Sequence, residues 1–182
     1  RELAAFSEAQ GGLFRFEDFA EYSAEIETPV SIDYRGYQIY KNPSASQGPA
    51  ELIALNLLEG YDLRTLGHNS PDFLHTSAEA IKLAMADREM YLGDQDFLRI
   101  PYDGLLSKEY AKQRSKLIDP DRNDPEIKPG DPYQFQADSR NPFKNFLEQW
   151  RVVPSQTQTL APQPELLSQL TDEFPADETS FY

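Results

Sequence analysis

The sequence predicts an α+β fold, mostly helical, with a few strands and a long irregular C-terminal segment. Helix-period apolar residues recur between about residues 48 and 118, and two short alternating runs sit near residues 30 and 40. Beyond residue 119 the chain turns proline-rich and loses any period. With 182 residues, it is long enough for one domain with its own core, or for part of a larger protein.

The first residues, RELAAFSEAQ, begin in a helical pattern without a methionine, which predicts that an N-terminal portion precedes them. They have neither a basic end nor an apolar stretch, so no signal peptide is visible. GGLFRFEDFAEYSAEIE predicts a short amphipathic helix with Phe16, Phe19 and Ala20 on one side and Glu17, Asp18 and Glu21 on the other. In VSIDYRGYQIY, Val30, Ile32 and Tyr34 alternate with Ser31 and Asp33, and the pattern resumes at Tyr37 and Ile39 after Arg35-Gly36. This is a β-hairpin signal. Tyr34, Tyr37 and Tyr40 are therefore expected to pack on a sheet rather than to stack on bases.

After the loop NPSASQGP, Gly48-Pro49 predicts a helix start, with Leu52, Leu55 and Leu58 in a stripe beside Ile53 and Leu57, and a stop at Gly60. The strongest helix has Ser70 as cap, Pro71 in its first turn and Gly93 at its end. Its core face is read as Leu74, Ala78, Ile81 and Met85, with Phe73, Ala80 and Ala84 beside it. Ser107 caps a third helix over KEYAKQRSKLI. DPDRNDPEIKPGDPYQF carries four prolines and predicts an extended connection. FKNFLEQW and ELLSQLTDEF have the spacing of short helices, separated by a polar linker. The chain is thus expected to divide into a helix-rich segment with a hairpin over residues 1–118, a linker or processing region over 119–178, and the start of a strand at 179–182.

There are 31 acidic against 17 basic residues, a formal charge of −14. Such a surface repels a phosphate backbone and an anionic bilayer, so neither nucleic acid nor membrane is expected as a partner. Cysteine is absent, which removes disulfides, thiolate metal sites and a cysteine nucleophile. Periplasmic, extracellular and cytoplasmic settings are all compatible with this composition. His75 and Glu79 lie one helical turn apart, a metal-ligand spacing, yet no third ligand is evident and Glu79 can pair with Lys82. DPDRNDPE begins like a calcium loop but has Asp124 where glycine is required and Gly130 where the bidentate glutamate belongs. No metal or cofactor is expected. Asp87 and Arg88 read as a structural ion pair or as caps.

Read in order, YRGYQIYKNPSASQGPAELIALNLLEGYDL, GHNSPDFLHTSAEAIKLAMADREMYLGDQDF and GLLSKEYAKQRSKLID closely resemble the later part of the large subunit of the gamma-glutamyltransferase (gamma-glutamyltranspeptidase) family. The resemblance covers about residues 11–118 and reappears in ETSFY. It implies part of an αββα sandwich of the N-terminal-nucleophile hydrolase class, a self-cleaving precursor, a small subunit as partner, and γ-glutamyl compounds such as glutathione as substrates. It also implies that Thr179 is the nucleophile, freed when the Glu178–Thr179 bond is cut, while Ser180 reads as a strand residue. The loop NPSASQGP departs from the family's pattern in the direction of acylase-like relatives, and Gln95 stands where proline is common, a loop change expected to be tolerated. The family's carboxylate-binding arginine and paired-glycine oxyanion hole are expected outside these residues, so this chain alone is expected to be inactive.

Overall fold

In a computed structural model, residues 1–44 and 46–150 are described. Two short helices come first, α1 (Glu2–Ala9) and α2 (Phe16–Ala20). The expected hairpin follows as β1 (Val30–Tyr34) and β2 (Tyr37–Lys41), antiparallel, with Ile32 opposite Ile39 and Tyr34 opposite Tyr37. Arg35 and Gly36 at the turn have φ of 53° and 85°. Positive φ at both central residues matches the right-handed twist of the strands, and glycine adopts it without steric cost. Ile32 is buried, but Tyr37 and Tyr40 are exposed, contrary to the packing expected of them. Tyr40 sits opposite Ser31, on the side of the hairpin away from Ile32.

The helices α3 (Gly48–Glu59) and α5 (Pro71–Tyr91) pack on each other, with the single-turn α4 (Leu63–Leu66) between them in sequence. Asp62 starts α4 by accepting from the backbone N–H groups of Arg64 and Thr65, and Ser70 accepts from Phe73 N–H at the head of α5. These bonds satisfy amides that have no partner inside a first helical turn. The single-turn α6 (Tyr102–Leu105) and α7 (Lys108–Ser115), capped by Ser107, close the core. That core joins Ile53 and Leu57, Ala80, Leu83 and Tyr91, and Leu105 and Tyr110.

The buried side of α5 takes in Ala80 and Ala84, as expected, but not the Leu74, Ile81 and Met85 face read as its core. Leu74 is 55% exposed and Ile81 52%, and Met85 also faces solvent. Thr76, Glu79, Ala80, Leu83, Ala84, Asp87 and Tyr91 are buried instead. The proline-rich stretch after residue 119 lies along that inward side and supplies polar partners there. It is extended, enters a 3₁₀ turn at Pro132–Phe135, and brings Tyr133 and Phe143 against Tyr91. Helix α8 (Lys144–Gln149) follows, and Leu147 packs on the same cluster. Residues 1–150 form one compact unit. The helix expected within ELLSQLTDEF, and Glu178, Thr179 and Ser180, lie outside the described residues.

Candidate active site

Two buried or half-buried polar clusters fix the elements around the core. In the first, Asp87 on α5 is fully buried and its Oδ1 accepts from Arg114 Nη2 on α7 at 3.1 Å and from Gly130 N–H at 2.8 Å. The same Arg114 nitrogen donates to the Lys128 carbonyl at 2.8 Å, and the Tyr91 hydroxyl donates to the Gly130 carbonyl at 2.6 Å. A side chain at residue 130 would press into the Tyr110 ring and the Arg114 stem, so the backbone approaches only because Gly130 has none. Burial pushes Asp87 above its ordinary pKa, opposed by the Arg114 charge and the Gly130 N–H. Burial likewise pushes the Tyr110 and Tyr91 hydroxyls up, so both stay protonated. The pairing expected between Asp87 and Arg88 is replaced by Asp87–Arg114. Residues 87 and 88 point to different sides of a helix, and Arg88 instead meets Glu89 and donates to Gln47 at 2.7 Å.

The inward side of α5 continues this pattern toward its N-terminus. Lys82 pairs with Glu79 at 2.6 Å, as its spacing predicts, and also donates to Asn123 Oδ1 and the Asp124 carbonyl, both at 2.7 Å. His75 Nε2 donates to the Asp119 carbonyl at 2.7 Å. His75, Lys82, Asp87 and Tyr91 thus bind residues 119, 123–124 and 130 in the same order, like rungs along the extended stretch. His75 and Glu79 are therefore both engaged in holding the chain, and His68 packs against the Phe73 ring. Among the described residues, no group of three or more metal-binding side chains converges.

The second cluster ties the hairpin to the helices. Lys108 Nζ on α7 donates to Asn56 Oδ1 at 2.6 Å, to Glu59 Oε2 at 2.5 Å and to the Asp33 carbonyl. Glu59 Oε1 accepts from Arg35 N–H at 2.8 Å. The Lys108 hydrogen bond and then the Arg35 amide hold the Glu59 carboxyl below its ordinary pKa. Beside the 3₁₀ turn, a cleft of about 640 Å³ is lined by Arg99, Tyr102, Asp103, Tyr133, Arg140 and Asn141, among others. Its volume suits a small ligand, and among the described residues no serine, threonine or histidine lines it.

None of these groups pairs a nucleophile with a base. They hold the elements together, and Thr179, the nucleophile that the resemblance implies, lies outside the described residues. Arg114 and Lys108 were not singled out by the sequence. The signal for Arg114 is its place on the apolar side of α7, one turn from Tyr110 and Ala111, where a cation needs a buried carboxylate.

The sequence profile of the gamma-glutamyltranspeptidase family matches residues 1–160. The chain belongs to that family. It is similar to the glutathione hydrolase proenzyme of Escherichia coli (strain K12), 43% identical over 132 residues, which are 71% of this chain and 23% of that protein. It is also 40% identical over 120 residues to the acylase ACY 1 proenzyme of Pseudomonas sp. (strain SE83), covering 65% of this chain and 22% of that protein. Among solved structures, the gamma-glutamyltranspeptidase of Helicobacter pylori matches with a TM-score of 0.65 at 38% identity, over 71% of this chain and 39% of that one. The cephalosporin acylase of Bacillus halodurans matches with a TM-score of 0.63 at 36% identity, over 72% and 24%. The fold of this family member is the expected α+β one, mostly helical with one hairpin among the described residues. The chain spans about a quarter of the length of the curated relatives named here.

Proposed function

We propose that this chain is the later large-subunit part of a self-processing gamma-glutamyltransferase or glutathione hydrolase, carried through to the first residues of the small subunit. The observation that carries the reading is the 43% identity to a glutathione hydrolase proenzyme, within a family match over residues 1–160. On this reading residues 1–118 are scaffold, 119–178 lead to the cut, and 179–182 begin the small-subunit strand, with the remaining small subunit as partner.

In the precursor, the Thr179 hydroxyl attacks the Glu178 carbonyl carbon. The C–N bond gives way to an ester, and the nitrogen takes up the proton. Water hydrolyses that ester, leaving Glu178 with a free carboxylate and Thr179 with a free α-amine. An α-amine has a pKa of about 7.7–8.0, so near neutral pH a useful fraction can accept the hydroxyl proton. A hydroxyl is a weak nucleophile without such a base, which explains why the cut and the activity belong together. Thr179 Oγ1 then attacks a γ-glutamyl amide, the leaving amine takes the proton, and the acyl-enzyme passes its acyl group to water or to an acceptor amine. No cofactor enters either step.

A second reading keeps the nucleophile and changes the acyl group. The 40% identity to an acylase proenzyme and the match to a cephalosporin acylase support it. Thr179→Ala in the full-length precursor tests both together. One uncut chain on intact-mass analysis and loss of turnover are expected, whereas two chains split at Glu178–Thr179 despite the substitution overturn the assignment. Comparing glutathione with a non-glutamyl acyl amide as substrates for the wild-type enzyme separates the two readings. A wild-type precursor that stays in one piece would indicate a scaffold paralogue instead.

A further inference from the structure

We infer that a single structural water molecule is bound inside the Asp87–Arg114–Tyr110 cluster, beneath residues 128–130. Three side-chain atoms of that cluster, Asp87 Oδ2, Tyr110 Oη and Arg114 Nε, are sealed from solvent and have no hydrogen-bond partner among the described residues. They belong to residues that are 0%, 1% and 5% exposed, in that order. Buried polar groups in native proteins are almost always paired, so three unmet ones in one cluster call for a bound partner. The inference does not depend on the precursor reading above.

The three atoms lie together around Gly130. Tyr110 and Arg114 are one turn apart on the same side of α7. Both reach Gly130, where a Cβ would run into the Tyr110 hydroxyl and the Arg114 stem. Gly130 N–H in turn meets Asp87 Oδ1 at 2.8 Å, and Arg114 Nη2 meets the same oxygen at 3.1 Å. That leaves Oδ2 as the free side of the carboxylate, with the Tyr110 hydroxyl near it but outside hydrogen-bond geometry. Arg114 Nη2 is engaged by Asp87 and by the Lys128 and Leu83 carbonyls, and Nε is left over. Because the described residues already seal these atoms, polypeptide from elsewhere in the protein cannot reach them without displacing what lies here.

Hydrogen-bond chemistry selects the occupant. Arg114 Nε can only donate, an ionised Asp87 can only accept, and the Tyr110 hydroxyl can do either. A metal cation would be repelled by the guanidinium, and an anion by the carboxylate. Water both donates and accepts. One molecule accepts from Arg114 Nε and Tyr110 Oη and donates to Asp87 Oδ2, which matches the roughly three bonds that a buried water makes. It thereby completes the network with which α5 and α7 grip Gly130, and a fully satisfied buried network is a rigid one.

A high-resolution crystal structure of the full-length protein tests this. One water peak is expected within about 2.5–3.2 Å of Asp87 Oδ2, Tyr110 Oη and Arg114 Nε together. A Tyr110 hydroxyl that donates straight to Asp87 Oδ2 with no water beside it, a peak that refines as an ion, or a side chain at that position each overturn the inference. Tyr110→Phe adds a test of sign in thermal melts of the full-length protein. The variant keeps the ring and removes the hydroxyl, so loss of a bond to the bound water should lower the melting midpoint. Removing a buried hydroxyl that has no partner leaves stability unchanged or raises it, so an unchanged or higher midpoint also overturns the inference. Neither measurement requires cleavage at Glu178–Thr179, so an uncut precursor defeats the functional reading alone.

Discussion

Helices α3 and α5 lie against each other and both feed the apolar core, but α5 also buries two carboxylates. Helix α3 follows hydrophobicity, with Leu52, Ile53, Ala54 and Leu57 all buried. Helix α5 turns Leu74, Ile81 and Met85 outward and buries Glu79 and Asp87. The difference lies in the neighbours. Helix α3 sits between α5, α7 and the hairpin, where apolar surface meets apolar surface. Helix α5 also receives the extended stretch 119–130, whose backbone amides and carbonyls have no strand to pair with. Buried backbone polar groups need partners, and side chains of α5 and α7 supply them. A charged residue on an inward face is thus the complement of an irregular segment.

The comparison can be broken first at Asp87. Asp87→Ala leaves the Arg114 cation buried without its carboxylate and frees the Gly130 N–H, so a loss of about 3–5 kcal/mol is expected. Urea denaturation of the full-length protein measures it, and a loss below about 1 kcal/mol would mean the cluster is ornamental. Next, Leu57→Ala on α3 should cost about 2–5 kcal/mol through lost burial and a cavity, with no change in how stability varies with pH.

Glu59→Gln sharpens the picture through pH. The folded carboxyl is held below its ordinary value, so its contribution is present above the unfolded pKa and is lost as pH falls through the folded one. The variant should therefore lose stability near neutrality and lose less than the wild type on acidification below about pH 4.5, as followed by thermal melts across pH. The smallest effect is expected at Ile81→Gln on the outward side of α5, within about 0.5 kcal/mol. A larger loss would show that this side is covered in the whole protein.

Much was legible locally. Alternation around Arg35-Gly36 is enough for the hairpin, because period-2 burial and a positive-φ turn are both local properties. Ser70 and Ser107 announced their helices because a cap bonds to amides two or three residues away. The end of α5 was read two residues late. Its last residue is Tyr91, and Gly93 is held by Ser44, whose Oγ accepts from Gly93 N–H at 2.9 Å and donates to its carbonyl at 2.5 Å. The single-turn helices α4 and α6 were missed, since four residues carry too little periodicity to stand out. Thr179 was named from a motif and a resemblance. The neighbours that would make it reactive are not written in its own stretch.

By itself the sequence determined the local devices of this protein: where chain turns, where helices begin, and which family its residues resemble. Those depend on bonds between near neighbours and on order along the chain. Only the tertiary structure decided which side of α5 is inside and that Arg114, rather than Arg88, answers Asp87. Periodicity groups residues into sides of a helix. Which side is covered depends on what comes to lie against it, and here that is a proline-rich segment from some forty residues further along the chain.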